Sequence, residues 1–466
     1  MENRAHIKAN SFLIIGGGIT GLSTALFLGR ANVSVTLLEA SERLGGNILS
    51  VNEKGWHMEL GPNTLMAKPT LYQLITSLDL KNKAIFPPSA SRKRYVVKNG
   101  KPIALPHSLG SAIKNPLIGS KGWMHLLSEP FRKPVSHEET LADFVQRRLG
   151  KNVLNHFVDP FVSGVYAGDP NRLSAKAAFP RLYKLEQSHG SLLRGGIAQM
   201  RDCKQQRSLN LENGFPDDWR GKLVSFPEGI TTLTNAIGDE LERLPNVRVV
   251  TSSRVKKIYR DDNLWCTTDQ HGQGFSAQSL VLTTPAGVSA SLIANLDDQL
   301  KTELESIVYP PLAAVVLGYP EEAVTHPLDG FGMLIPGQEK RKTLGVLFSS
   351  TLFPERAPKG HVLFTCFIGG RKNQSVANQS NHELVNTVST DLRELLGIRG
   401  SSVFTKVTHW NHAIPQYEVG HLDRIDKIDT LIGSHSNLHM IGNWRDGISV
   451  GDCIDNGKAL AERLLQ

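Results

Sequence analysis

Gly16, Gly17, Gly18 and Gly21 stand between an apolar run, Phe12 to Ile15, and a stretch of helical periodicity, Ile19 to Gly29. The order strand, glycine turn, helix is that of a phosphate cradle. The first glycine makes the tight turn, Gly18 lets backbone approach a pyrophosphate, and Gly21 lets the helix pack on the strand. Ile19 and Thr20 then open a helix whose unpaired N–H groups and dipole favour negative charge. A second apolar run, Val33 to Leu38, ends at Glu39 and Ala40, which puts a carboxylate at the spacing that suits a ribose hydroxyl pair. These residues predict a bound dinucleotide. Other chemistry is poorly represented: the sixteen histidines form no HExxH pair, and no paired-carboxylate arrangement stands out. His189, His361 and His409 read as surface or satisfied histidines, so no general base is assigned.

The elements that must hold such a ligand extend beyond the first unit. Ser41 to Gly46, SERLGG, sets Arg43 and a glycine pair behind the acid, where a longer or more folded cofactor needs countercharge and close backbone approach. Gly55 to Asn63, GWHMELGPN, reads as a short strand entering a Gly-Pro turn. Near the end, His439 to Ile441 is a strand and Ser449 to Leu465 a helix starting just after Gly447. No second strand-linked GxGxxG is present, so a pyridine nucleotide site is not supported.

With 466 residues, 40% apolar and 21% charged, the chain has the composition of a folded soluble protein of two or three domains. Only Met1 to Asn10 precedes the first strand, so no signal segment is expected, and no 18-residue apolar stretch predicts a membrane span. Cys203, Cys266, Cys366 and Cys453 are far apart and read as reduced thiols in a cytosolic compartment, with no metal-ligand spacing. The net charge of +8 is local: Arg92 to Pro134 carries nine Lys or Arg against the single acid Glu129. There the cations mix with Leu109, Ile113, Leu117, Ile118, Trp123, Met124, Leu126, Leu127 and Phe131. That mixture suits either an interfacial segment on an anionic membrane or an amphipathic helix facing a core. No nucleic-acid reader motif accompanies it, so nucleic acid is not an expected partner.

Between the ends, Tyr95–Val97 and Ile103–Leu105 around Asn-Gly predict a β-hairpin, with Arg94 at its entry. Glu139 to Val158 predicts a helix ending at Asp159-Pro160. A polar loop covers 203–222, and a helix follows Pro227-Glu228-Gly229 through about Leu244. Strands are expected at Val247–Val250, Arg254–Tyr259 and Ser279–Thr284, then at Ala313–Gly318, Thr343–Phe348 and Val362–Phe367.

The fingerprints at both ends, together with DPFVSGVYAGDPNRLSAKAAFP, FGMLIP, TLGVLFSSTLFPERAP, FTCFIGG and IPQYEVGH, resemble the FAD- and oxygen-dependent protoporphyrinogen oxidases of the flavin amine oxidase superfamily, over most of the chain. The resemblance implies an α/β fold: a discontinuous Rossmann-type FAD-binding domain, an antiparallel-sheet substrate domain and a helical membrane-binding subdomain. The expected divisions are 1–86, 222–298 and 407–466 for the FAD domain, 92–205 for the helical part, and 299–406, with parts of 87–106 and 206–222, for the substrate domain.

The same resemblance implies which residues meet FAD: Gly16, Gly17, Gly18, Ile19, Thr20, Gly21, Glu39, Ala40, Arg43, Gly46, Asn47, Glu59, Leu60, Gly61, Pro62, Val255, Trp410, Ile448, Ser449 and Val450. Asn47 departs from the larger or basic residue common at that point. It further implies a substrate slot at Arg94, Gly164, Leu334, Leu347 and Phe367, with Arg94 on a propionate. The implied reaction takes six hydrogens from protoporphyrinogen in three two-electron steps at flavin N5, with oxygen as acceptor and hydrogen peroxide as product, in heme biosynthesis. The closing helix would then stabilise negative charge on the reduced ring. Rival readings are coproporphyrinogen as substrate, an amine oxidase with its lysine-water site, and a GDP-dissociation inhibitor that needs no complete fingerprint. A peripheral attachment to the bacterial inner or inner mitochondrial membrane is expected, and the sequence leaves dimerisation open.

Overall fold

The computed structural model describes residues 11–106, 109–113, 115–200 and 214–466. Its organising element is a five-stranded parallel sheet, in spatial order Leu438–Met440, Ser279–Leu282, Ser11–Ile15, Ser34–Leu38 and Val247–Val250. In chain order that is fifth, fourth, first, second, third, so connections leave the first strand in opposite directions on its two sides. Such a reversal opens a crevice at the carboxyl ends of the strands, where ligands of open α/β sheets bind. The strands are short and apolar because both faces are covered. Ile14 and Leu37 pack with the helices on one face, Leu13 and Leu280 with the cluster on the other.

The helix Ile19–Arg30 follows the first strand, and the last helix, Val450–Leu464, lies against it. Gly457 makes that approach: a Cβ there would stand 2.9 Å from Ser23 Cβ and 3.1 Å from the Thr20 carbonyl. These two helices are thereby locked to each other. A small antiparallel sheet, Val255–Asp261, Leu264–Asp269 and Gly274–Ala277, flanks the parallel one.

A seven-stranded sheet forms the second body, in order Phe404–Trp410, Leu312–Pro320, His361–Gly369, Thr343–Phe348, Gly330–Leu334, Lys93–Lys98 and Lys101–Ala104. Its core, Ala313, Val315, Phe364 and Cys366, is covered by the helix Asn381–Leu396. The expectation of an antiparallel sheet holds except at one junction, where Gly330–Leu334 and Lys93–Lys98 run parallel. The hairpin of residues 93–104 turns at Asn99 and Gly100, both at positive φ.

Helices dominate the described residues between 109 and 200. Here the expected helix over 139–158 is corrected at both ends of its reading. It runs Leu141–Arg148 and breaks at Gly150, whose φ is 90°. The chain then continues through a π-helical stretch, Leu154–Val158, into Asp159–Tyr166. Pro160 does not stop it, because proline occupies a first-turn position and the wider π turn ahead of it leaves its missing N–H without consequence. The expected loop over 203–222 lies largely outside the described residues, as does Cys203. Cys266, Cys366 and Cys453 are free and buried.

Candidate active site

A cavity of about 1930 Å³ lies at the carboxyl ends of the parallel strands and runs on beneath the seven-stranded sheet. At one end Gly16, Gly18, Ile19 and Thr20 form its floor and Glu39, Ala40 and Val255 its far wall. Gly18 is the open point of the turn: an added Cβ would meet nothing closer than Gly46 Cα at 4.0 Å, so the space beside it belongs to the cavity. Gly21 is the opposite case, since a Cβ there would stand 1.9 Å from the Gly16 carbonyl oxygen. The Gly17 amide donates to Glu39 Oε2 at 2.7 Å, and the Ser41 amide and hydroxyl donate to Oε1 at 2.8 and 2.7 Å. Glu39 is thus oriented from behind, half-buried, with lone pairs left for hydroxyls in the cavity.

The middle of the cavity is bounded by Gly46, Asn47, Leu60, Gly61 and Pro62. Gly61 is required there, because a Cβ would fall 1.8 Å from the Asn47 carbonyl oxygen. Trp410 covers this turn and donates its indole N–H to the Leu60 carbonyl at 2.8 Å. On the other side stand Ile448, Ser449 and Val450. Ser449 caps the closing helix in a reciprocal box with Asp452: its hydroxyl accepts from the Asp452 amide at 3.1 Å and donates to Oδ2 at 2.6 Å. The sequence expectation placed Ser449 inside the helix; it is the residue that caps it.

Four residues expected at the cofactor do not line the cavity: Gly17 and Gly21, which serve the turn, and Arg43 and Glu59. Arg43 turns back on its own loop, donating to the carbonyls of Ile48 at 2.9 Å and Gly46 at 2.6 Å. Glu59 is buried beneath the turn, where it accepts from Arg356 Nη2 at 2.9 Å, the Ile230 amide at 3.0 Å and the Ser50 hydroxyl at 2.6 Å. Both shape the walls that others present.

The outer part of the cavity is apolar. Gly164, Leu347, Phe367 and Phe331 line it, with Val165 and Tyr166 from the helical part. Leu334 stands one layer back, filling the space at Gly164, where a Cβ would meet its Cδ2 at 2.5 Å. Arg94 does not touch the cavity directly; its guanidinium lies over the Phe331 ring, 5.3 Å from the centroid, with the side chain exposed. Residues that the sequence reading missed also meet here. Tyr417 accepts from the Gly447 amide at 2.9 Å and donates to the Asn443 carbonyl at 2.6 Å, holding the loop before the closing helix. Burial pushes its phenol far up and keeps it protonated. Tyr417 lies in IPQYEVGH, which marked the segment without indicating the role.

One end of the cavity is polar and phosphate-sized, the middle is narrow, and the outer part is an apolar slot. The donor set fits FAD: the amides of Ile19 and Thr20 would take phosphate, Glu39 ribose and Val255 the adenine, and the Leu60–Pro62 turn with Ile448–Val450 would hold the ring. The fold and site define an FAD-dependent oxidoreductase.

Residues 19–465 match the model of the flavin containing amine oxidoreductases. The mitochondrial protoporphyrinogen oxidase of Nicotiana tabacum is 32% identical, over 99% of this chain and 95% of its own. Protoporphyrinogen oxidase 1 of Arabidopsis thaliana chloroplasts is 34% identical over 95% and 86%. The coproporphyrinogen III oxidase of Bacillus subtilis is 28% identical over 96% of each. Among solved structures, a UDP-galactopyranose mutase superposes with a TM-score of 0.74 at 16% identity, over 98% and 94%, a likeness of fold alone. The chain belongs to the flavin containing amine oxidoreductases and, within them, to the protoporphyrinogen oxidase family, with FAD as its cofactor.

Proposed function

We propose that the chain oxidises protoporphyrinogen IX to protoporphyrin IX, the carrying observation being an apolar slot beside the flavin-binding turn with one cation, Arg94, set at its rim over Phe331. A porphyrinogen is a wide apolar macrocycle with carboxylate arms, and such a ligand needs flat apolar walls and few charges. Leu347 and Phe367 supply the walls, and Gly164 admits Leu334 behind them. Arg94 is positioned by its strand and by Phe331 to pair with a propionate, which fixes the ring's orientation. Bound FAD supplies the two-electron acceptor, and three oxidations remove six hydrogens, with three molecules of oxygen going to three of hydrogen peroxide. The chain contributes positioning and exclusion of water, which suffices for a transfer that needs no general base.

A second reading, coproporphyrinogen III as substrate, is favoured by the Bacillus relative and by Lys176, a further cation on the cavity wall. The four carboxylates of that substrate reward additional cations. The test is turnover of both porphyrinogens by the purified protein under air, following porphyrin fluorescence and peroxide. Protoporphyrin formation whose KM rises about tenfold in Arg94→Ala, the loss of one charge-assisted contact of roughly 1.5 kcal/mol, supports the proposal. Faster turnover of coproporphyrinogen refutes the substrate assignment.

The basic segment supports attachment to the surface of an anionic membrane, because Ile113, Met124, Leu127 and Phe131 expose apolar side chains among its cations. Among the described residues no helix is long and apolar enough to cross a membrane. Leu117 and Ile118 are buried and Trp123 is half-buried, so these face inward and are not anchors.

A further inference from the structure

We propose that Lys68, which no part of the cradle motif includes, is a positioning residue that sets the reduction potential of the flavin through the closing helix. The inference rests on FAD binding with its ring at the start of the closing helix, and not on the identity of the porphyrinogen.

Lys68 follows the short strand Leu65–Met66 and immediately precedes the helix Pro69–Ser77. Its ammonium reaches across 384 residues of sequence to Asp452 Oδ1 at 2.5 Å and donates to Asp455 Oδ2 at 3.2 Å. Its stem lies flat against Gly451, where an added Cβ would be 3.2 Å from Lys68 Cδ. Asp452 has its two oxygens divided: Oδ1 takes Lys68, and Oδ2 takes the Ser449 cap on the cavity side. Asp452 and Ser449 both line the cavity. Gly447, at φ 134°, leaves just the room that Asp452 needs, since a Cβ there would lie 2.5 Å from Asp452 Cβ.

The arrangement answers an electrostatic problem. A helix N-terminus stabilises a ring that gains negative charge on reduction, but this one carries two carboxylates in its first turns. Unpaired, Asp452 and Asp455 would cancel the dipole and oppose reduction. Lys68 neutralises one charge and shares the other, and in doing so fixes the cap. Burial alone would lower the Lys68 ammonium, yet the two carboxylates hold it above its ordinary value; Asp452 is held below the usual range, against burial, by Lys68 and Ser449. Both groups therefore stay charged across neutral pH. Tyr166, also on the cavity wall, has its phenol raised by burial and by the Asp452 charge.

The experiment measures the midpoint potential of the purified holoprotein by equilibrium reduction against a dye of known potential. The variants are Lys68→Met, Lys68→Arg, Asp455→Asn and Lys68→Met with Asp455→Asn. In Lys68→Met the protein should hold reduced flavin at least tenfold less well relative to oxidised flavin, a shift of about 30 mV to more negative values for a two-electron couple. Arginine should restore the wild-type potential, the double variant should recover most of the shift, and Asp455→Asn alone should move the potential the other way. FAD titration of the apoproteins provides a readout independent of turnover: affinity should fall in Lys68→Met and return in the double variant. An unchanged potential in Lys68→Met overturns the proposal, as does a double variant no better than Lys68→Met. Should Lys68→Met fail to fold, Asp455→Asn still decides, since no positive shift there overturns it as well.

Discussion

Replacing Glu59 by Gln separates a wall-building residue from a cofactor ligand, and the structure gives the size of the effect. Glu59 and Arg356 are 4% and 3% exposed, so the pair has little solvent to screen it. At an effective dielectric of about 20, opposite charges about 4 Å apart attract by roughly 4 kcal/mol. Breaking one half of a buried pair costs about 3–5 kcal/mol in general, because the surviving charge is stranded. Burial, however, pushes the Glu59 carboxyl up against the pull of Arg356, Ser50 and the Ile230 amide, so the lower end, about 3 kcal/mol, is the figure expected here. Urea unfolding of the apoprotein should show that loss in Glu59→Gln, and Glu59→Gln with Arg356→Met should recover part of it. FAD affinity of the folded variant should stay within about threefold of wild type, under 1 kcal/mol. An unfolding midpoint that does not move, with FAD affinity down tenfold or more, would refute this reasoning and make Glu59 a direct ligand.

The cradle glycines should divide in the same way. Gly18→Ala places its methyl in the cavity and should leave apoprotein stability within about 0.5 kcal/mol while weakening FAD by about 1–3 kcal/mol; Gly21→Ala should lose more than about 3 kcal/mol of stability, measured in the same urea series. His421 is fully buried, and burial, with the Arg424 charge, lowers its pKa from 6.5 to about 4. Between those values the unfolded chain binds the proton and the native one does not, so stability is complete above pH 6.5 and falls as pH drops toward 4, by up to about 3 kcal/mol. A urea midpoint flat across that window contradicts the assignment. Finally, Met124, Leu127 and Phe131 changed together to Ser should release the protein from anionic vesicles in a flotation assay, whereas unchanged partitioning removes the membrane face.

What could be read in the sequence was local. Phe12–Ile15 and Ile19–Gly29 announce a strand and a helix through their own periodicity, and the turn between them can serve little except phosphate. Val247–Val250, Ser279–Leu282 and the hairpin over residues 93–104 carry similar signals and were legible for the same reason. The pairs Glu59–Arg356 and Lys68–Asp452 were not, since partners hundreds of residues apart leave no spacing to recognise: Glu59 was expected at the cofactor, and the other three look like ordinary surface charges. Trp123 misled in the converse way: tryptophan among cations suggests an interface, but only the fold decides which side of its helix faces water. The break at Gly150 and the passage through Pro160 were hidden because composition alone does not reveal a π turn.

The locking of the first and last helices at Gly457 bears on when the protein acquires its colour during synthesis. The Ser11–Arg30 unit leaves the ribosome early, but the Leu438–Met440 strand and the helix that packs on Thr20 and Ser23 emerge more than 400 residues later. At about 5–20 residues per second, the glycine turn waits roughly 20–80 s as an unfinished pocket. Any chain interrupted before that helix lacks Ile448–Val450 and the ring side of the site. Flavin uptake is therefore a late event, and its yellow absorbance reports that synthesis has passed the closing helix.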